Sequence, residues 1–205
     1  MSHSRLDQLS DGIFAIVMTI LVFEIHLPDF HLYPTNSELW FALQTAIPSL
    51  LSFVLAFFLL FTYWRAHHFF ISVYAKNVDL MLTNINAVFF MFISLIPLST
   101  SLLGRLHESE LPIIIFGVHI ILIALTLYWM RSYVFYSEQI KNPTITKHEI
   151  RGSTIRTLVP AFVAGLAIAL SFISVDASLI LFMVAVLFNL SSISTRLFEK
   201  FLRLN

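Results

Sequence analysis

The chain has 205 residues, of which 58% are hydrophobic and only 12% carry a charged side chain, and its formal net charge is zero. Soluble domains average about 25% charged residues, so this composition excludes an ordinary water-soluble protein and predicts a membrane protein. The lack of cysteine excludes disulfides and thiolate metal sites, and no basic run of the nucleic-acid-binding kind is present. We expect no cofactor, no structural metal and no nucleic-acid partner, with the lipid bilayer as the environment.

Six apolar segments follow one another along the chain, each near the ~20 residues that a helix needs to cross a bilayer. They cover approximately residues 8–27, 41–64, 80–103, 112–134, 155–175 and 177–198. Their continuous apolar character favours helices over the alternating strands of a membrane β-barrel. The predicted fold class is all-α, a polytopic membrane protein with six transmembrane helices and a single domain over residues 1–205.

The polar residues between the segments predict where the helices begin and end. Asp79 and Asp176 precede the third and sixth segments and are expected to cap them. Residues 136–152 form the longest polar stretch and are expected to be a loop. Acidic residues in the first segment and the lack of a small-residue cleavage site argue against a cleavable signal peptide, so this segment should stay in the mature protein.

Lysine and arginine are distributed very unequally over the two predicted sides of the membrane. Eleven of the twelve lie at the N-terminus, in the regions that follow the second and fourth segments, or at the C-terminus, and only Arg105 lies on the other side. The positive-inside rule therefore predicts that both termini are cytoplasmic. The same rule accounts for five basic residues that could otherwise indicate an anionic-lipid site: Arg131, Lys141, Lys147, Arg151 and Arg156.

The first segment begins with ionisable side chains, which are costly in a membrane and indicate a functional site. At about 100° per residue, one stripe of this helix holds Ile16, Thr19, Ile20 and Phe23. Ser10 and Asp11 fall on roughly the opposite side.

Three interpretations of this arrangement are open. Ser10 and Asp11 could face a water-filled pore and form an acidic ring for cations. Alternatively, they could tie the helix to its neighbours while the stripe lines a narrow apolar constriction that gates by dewetting. In the third, the stripe is only a helix-packing surface. Glu24, at the expected outer end of the helix, could raise the local cation concentration.

Three sequence patterns point to a known family. Arg5-Leu6-Asp7-Gln8-Leu9-Ser10-Asp11 is similar to an Arg-x-x-x-Phe-Ser-Asp motif, with Leu9 where phenylalanine is usual. The second segment ends in Trp64-Arg65-Ala66-His67-His68, similar to Trp-x-x-His-His, and the third contains Asn86 and Ser94-Leu95-Ile96-Pro97. The chain resembles the transmembrane protein 175 family of potassium channels in its prokaryotic, single-repeat form.

The resemblance implies a homotetramer in the cell (inner) membrane, with a central pore lined by four copies of the first helix. It implies a constriction at Ile16, Ile20 and Phe23, with Thr19 as a polar pore position. It also implies a hydrogen-bonded network between helices, with these members: Arg5, Ser10, Asp11, Trp64, His67, His68 and Asn86. The Thr-Val-Gly-Tyr-Gly filter of ordinary potassium channels is absent from the sequence.

The function expected from these observations is passive conduction of potassium ions, which are then the permeant species and not a cofactor. The alternative is a proton-permeable channel or a proton-coupled secondary transporter that uses Asp11 and a histidine as a proton relay. An enzyme is not expected, because no nucleophile–base or metal constellation is visible in the sequence.

Overall fold

A computed structural model of the chain describes residues 3–28 and 34–191. This part of the chain is helical, apart from connecting turns and one isolated backbone bridge, and the predicted all-α class is confirmed. In chain order the helices are α1 (His3–Ile20), α2 (Asn36–Thr45), α3 (Ile47–His68), α4 (Leu80–Ser94), α5 (Ile96–Arg105), α6 (Glu110–Tyr136), α7 (Lys147–Ser171) and α8 (Val175–Leu190). A 3₁₀ turn, Leu21–Glu24, extends α1, and a π-helical turn, Phe69–Tyr74, extends α3.

Five stretches of the described chain are long and apolar enough to cross a membrane, which supports the predicted polytopic membrane protein. They are His3–Glu24, Ile47–Tyr74, Leu80–Arg105, Glu110–Tyr136 and Gly152–Ser171. Helix α8, with 16 residues, is shorter. Residues 192–198, the rest of the predicted sixth segment, lie outside the described residues, as do the basic residues Arg196, Lys200 and Arg203.

Several helix boundaries differ from the predicted ones because side chains cap the helices at other positions. The expected loop 136–152 is shorter, since α6 runs to Tyr136 and α7 begins at Lys147. A capping box starts α7, in which Thr146 and Glu149 satisfy each other's backbone N–H groups. The side chain that caps α8 is Ser174 and not Asp176, which lies in the first turn.

The second predicted segment is divided in two. A capping box of Thr35 and Glu38 begins the short helix α2, and the chain turns at Ala46 before α3 begins. Pro48 lies in the first turn of α3, where its missing N–H costs no helical hydrogen bond. Asp79 caps α4 as predicted, accepting a hydrogen bond from the backbone N–H of Leu82 at 2.8 Å.

Small residues allow the helices of the bundle to approach closely. A Cβ placed on Gly104 of α5 would lie 2.9 Å from the Cα of Ser49 on α3. A Cβ on Gly117 of α6 would lie 2.7 Å from a side-chain carbon of Ile168 on α7. Such close contacts are typical of membrane helix pairs, in which packing and hydrogen bonds hold the helices together.

Arg131 joins α6 to the first turns of α7. Its side chain is buried, and Nε donates to Ser153 Oγ at 3.0 Å while Nη2 donates to the carbonyl of Ile150 at 2.7 Å and to Thr154 Oγ1. The guanidinium also lies 4.9 Å from the ring centre of Phe135. Arg131 is therefore an internal contact of the bundle, because these bonds keep it from the lipid headgroups.

Candidate pore-lining helix and its anchoring network

Helix α1 has one buried face and one exposed face within the chain. Leu6, Ser10, Phe14, Val17 and Leu21 are all buried, at spacings of three or four residues. This face packs on α3 and α4.

The exposed face, which we call the apolar stripe, consists of Leu9, Ile16, Ile20 and Phe23, with Thr19 beside them. The apolar members are 47%, 58%, 42% and 75% exposed, respectively.

Ser10 and Asn86 meet across a buried histidine. His67 Nε2–H donates to Asn86 Oδ1 at 2.5 Å, so in the neutral imidazole Nδ1 accepts from the hydroxyl of Ser10 at 3.0 Å. Asn86 in turn donates to the carbonyl of Leu82 at 2.8 Å. The chain of bonds joins α1, α3 and α4.

Aromatic rings enclose this histidine. The imidazole of His67 is stacked on Phe89, with ring centres 5.3 Å apart and an angle of 8° between the planes. Phe14 of α1 lies 6.4 Å from the same imidazole and 6.2 Å from Phe89. Both ring nitrogens of His67 are therefore hydrogen-bonded, and its faces are covered by aromatic rings.

Asp11 is bonded at the edge of the network. Its Oδ1 accepts a hydrogen bond of 2.8 Å from the indole N–H of Trp64, although the aspartate remains exposed within the chain. The Trp64 ring is stacked on His68 at 6.1 Å.

A second polar group ties the start of α1 to the π-helical turn. Ser72 donates to Asp7 Oδ2 at 2.8 Å and accepts from His68 Nδ1 at 3.2 Å. His3 Nε2 donates to the carbonyl of Ile71 at 2.5 Å. Asp7, Ser72 and His3 did not emerge from the sequence as site residues, although Asp7 lies one helical turn before Asp11 and so on the same side of the helix.

Arg5 does not join the other network members within the chain. Helix α1 begins at His3, so Arg5 is already helical and at about 100° per residue lies on the side of the apolar stripe. It is exposed, and it forms no hydrogen bond or ion pair with the described part of the chain. The expectation that Arg5 belongs to this network is not met within the described part of the chain.

The hydroxyl of Thr19 is turned back on its own helix. It donates to the carbonyls of Ala15 and Ile16 at 2.9 and 2.8 Å. A hydroxyl has one donor and two acceptor lone pairs, so what this oxygen can still offer to a neighbour is acceptor capacity.

The C-terminal end of α1 is held by a histidine–arginine contact. Glu24 ends the 3₁₀ turn, and its carbonyl accepts a 2.8 Å hydrogen bond from His26 Nδ1–H. Arg105 at the end of α5 donates to His26 Nε2. Among residues 3–28 and 34–191, no three His, Asp or Glu side chains are grouped so that they could hold a metal ion.

Comparison with known proteins shows which family this part of the chain is similar to. Residues 5–97 match the family described as the endosomal/lysosomal potassium channel TMEM175. A potassium channel of a Chryseobacterium species is 30% identical over 126 residues, which is 61% of each chain, so the match spans less than two thirds of that relative. A potassium channel of Chamaesiphon minutus is 28% identical over 92% of this chain and 94% of its own.

The fold agrees with a solved structure over nearly its whole length. The crystal structure of a lysosomal potassium-selective channel TMEM175 homolog from Chamaesiphon minutus superposes with a TM-score of 0.79 at 25% identity, covering 91% of this chain and 95% of the other. The family match covers α1 and its partners α3 and α4, the elements that carry the Ser10–His67–Asn86 network. Over residues 5–97 the chain is similar to the TMEM175 family, and its fold is that of the TMEM175 homolog from Chamaesiphon minutus.

Proposed function

We propose that this chain is a passive potassium channel whose pore is lined by the apolar stripe of α1 in a homotetramer. One observation carries the proposal: α1 is anchored by polar bonds on one face and presents an apolar face that residues 3–28 and 34–191 leave uncovered. A single helix cannot enclose a pore, so several copies of this face are needed around one axis.

The stripe has the properties of a hydrophobic gate. Ile16, Ile20 and Phe23 project from successive turns, so symmetric copies would form stacked apolar rings. A narrow apolar ring repels water and closes to ions by dewetting. Phe23 is the largest and most exposed of the three, at 75%, and is expected to form the narrowest ring.

Polar groups near the stripe favour a cation over an anion. The Thr19 oxygen offers only acceptor lone pairs, because its O–H donates to its own helix. Glu24 lies at the end of α1, where unsatisfied carbonyls add partial negative charge. Selectivity for potassium then rests on the cost of dehydrating the ion at the throat, and no cofactor takes part.

The proposed location is the cell membrane with both termini in the cytoplasm. Lys76 and Lys141 lie at the end of the bundle where α3 and α6 finish, close to the isolated bridge between Ala75 and Lys141. Arg105 lies at the other end, where α5 finishes. The positive-inside rule supports this orientation.

The rival function, a proton relay through Asp11 and a histidine, is less well supported. A relay histidine must exchange protons with mobile partners, whereas both nitrogens of His67 are bonded to Ser10 and Asn86 in a buried site. Asp11 is 2.8 Å from the Trp64 indole, which can donate a proton in a hydrogen bond but cannot pass one on.

Bi-ionic reversal potentials in reconstituted bilayers test the proposal. We expect unitary currents with a preference for potassium over sodium. Ile16→Asn should raise the conductance and reduce the preference, because a polar ring wets the constriction. Val22→Asn is the matched control, since Val22 is 49% exposed on the same stretch but lies off the stripe. A saturating, proton-coupled flux without unitary currents would instead establish the rival function.

A further inference from the structure

A cavity of about 450 Å³ lies on the lysine- and arginine-rich side of the bundle, away from α1. Its walls come from the end of α3 and the π-helical turn, from α6, from the first half of α7 and from the end of α8. Its volume is in the range of sites that bind small molecules, about 300–1,000 Å³.

The chemistry of the walls is mixed. Phe69, Phe70, Leu127 and Pro160 form an apolar surface. Among the side chains that the structure describes, the charged groups of the walls are two guanidiniums and one carboxylate: Arg65, Arg156 and Glu149. Because positive charge is in excess, the cavity favours an anion at its polar side.

The carboxylate of Glu149 is less available to a ligand than the guanidinium of Arg65. Glu149 accepts from both the N–H and the hydroxyl of Thr146, at 2.8 Å each, in the capping box of α7. Arg65, by contrast, uses Nη2 to donate to the carbonyl of Asn189 at 3.2 Å, and a guanidinium has five N–H donors in all. Arginine forks match the oxygens of a phosphate group.

An apolar crevice continues from the cavity between α3, α7 and α8. It has a volume of about 30 Å³ and shares Thr62, Pro160 and Asn189 with the cavity. Its other walls are almost wholly apolar, with Leu59, Val163 and Phe182 among them. The cavity and the crevice together are therefore amphipathic, with arginines at one end and apolar side chains at the other.

We propose that this cavity binds the phosphate-bearing headgroup of an anionic phospholipid from the cytoplasmic leaflet. The arginines hold the phosphate, the phenylalanines cover the glycerol and the start of the acyl chain, and the chain leaves along the crevice. The leaflet rests on the orientation given under the proposed function, but binding does not depend on ion conduction.

The site is connected to the anchoring network through one turn of α3. Arg65 and Ala66 line the cavity, while their neighbours Trp64 and His67 are bonded to Asp11 and Ser10 of α1. A lipid bound there braces the turn that positions α1. Occupation should therefore stabilise the folded channel.

Thermal unfolding of the full chain in detergent tests the proposal, with short-chain phosphatidylglycerol as the probe. Short-chain phosphatidylcholine and inorganic phosphate are the comparison ligands. We expect phosphatidylglycerol alone to raise the unfolding temperature in a saturable way. Arg156→Gln should raise the apparent Kd about tenfold, because a charged hydrogen bond to phosphate is lost. Arg156 is exposed, so this variant is expected to fold.

Two further variants distinguish lipid binding in the cavity from a general effect of surface charge. Lys76→Gln removes an exposed cytoplasmic-side cation that does not line the cavity, and should leave the Kd within about twofold. Ala66→Phe fills the cavity with both arginines retained, and should abolish the stabilisation.

Four results would overturn the proposal. These are an unchanged Kd in Arg156→Gln and Ala66→Phe, an equal loss in Lys76→Gln, equal stabilisation by phosphatidylcholine, or equal stabilisation by phosphate alone. Measuring potassium flux in the same preparations distinguishes failure of the lipid site from failure of the proposed channel function. A wild type that binds the lipid and conducts no potassium contradicts only the proposed function.

Discussion

In α1 the buried face holds a polar residue and the exposed face is apolar, the reverse of a helix on the surface of a soluble protein. The buried face includes the polar Ser10, which is 2% exposed, whereas the outward face carries Phe23, which is 75% exposed. In a membrane, polar groups are stabilised by partners inside the bundle, so they fix a helix in place. Apolar groups that the subunit leaves uncovered are free for lipid, another subunit or a pore.

This contrast predicts two separate kinds of mutational effect. Substitutions on the buried face should change the stability of the fold, because they leave bonded partners unsatisfied. Substitutions on the apolar stripe should change ion conduction and leave stability almost unaltered, because few contacts within the chain are lost.

His67→Ala should give the largest effect. It removes a buried ring and leaves the Ser10 hydroxyl and the Asn86 carbonyl without their partner, which together should cost about 3 to 5 kcal/mol. Unfolding of the purified protein in detergent measures the loss.

His68→Ala is the matched control for this prediction. His68 is adjacent but exposed, and it makes a 3.2 Å hydrogen bond to Ser72. It should cost less than about 1 kcal/mol. Similar losses in the two variants would mean that the buried network does not anchor α1.

Phe23→Ala comes next and acts on conduction. Removing the largest side chain of the stripe widens the narrowest ring, so the unitary conductance should rise about threefold to tenfold, with little change in the unfolding temperature. Val22→Ala, at the neighbouring exposed position, should leave single-channel currents unchanged. If Phe23→Ala destabilises the protein without altering current, the stripe is a packing surface.

The sequence predicted a resemblance to the TMEM175 family and an all-α class; the comparisons find that similarity over residues 5–97, and the described chain is helical. The signals were local and strong: long apolar segments, and motif residues that lie within single helices. Five of the six predicted segments correspond to stretches long enough to cross a membrane. The sixth corresponds to α8, which is shorter than a full span and adjoins residues outside the described part.

Part of what the sequence analysis did not predict is local, and part depends on contacts between distant residues. The capping boxes of Thr35 and Thr146 could have been read from their spacing to Glu38 and Glu149, and they move two helix starts. No sequence pattern indicates that Arg131 is buried against Ser153, because basic residues at a helix end usually face the headgroups.

The helical angles of α1 separate Ser10 from the stripe, but the position of Arg5 depends on where the helix begins. With α1 beginning at His3, Arg5 lies on the exposed side.

Asp11 tests the boundary between the two faces. Asp11→Ala removes the acceptor of the Trp64 indole and should cost about 1 kcal/mol, whereas Asp11→Asn keeps an acceptor oxygen and should cost less than half of that. Reversal potentials of Asp11→Asn should match the wild type. A collapse of cation selectivity in an intact oligomer would show that the carboxylate acts in the pore.

Gly12→Ala should give the smallest effect, and it distinguishes a pore from a subunit interface. Gly12 lies on the side of the stripe, and a Cβ there meets no atom of the described residues within 4 Å. If the stripe faces a pore, alanine should stabilise α1 by about 0.5 to 1 kcal/mol through its higher helix propensity, with the oligomer intact. If another subunit packs closely on Gly12, the added methyl group should weaken assembly, and size-exclusion chromatography of the purified variant would detect the smaller species. Because both outcomes follow from a single methyl group, the variant reports on what covers the stripe without disturbing the network on the opposite face.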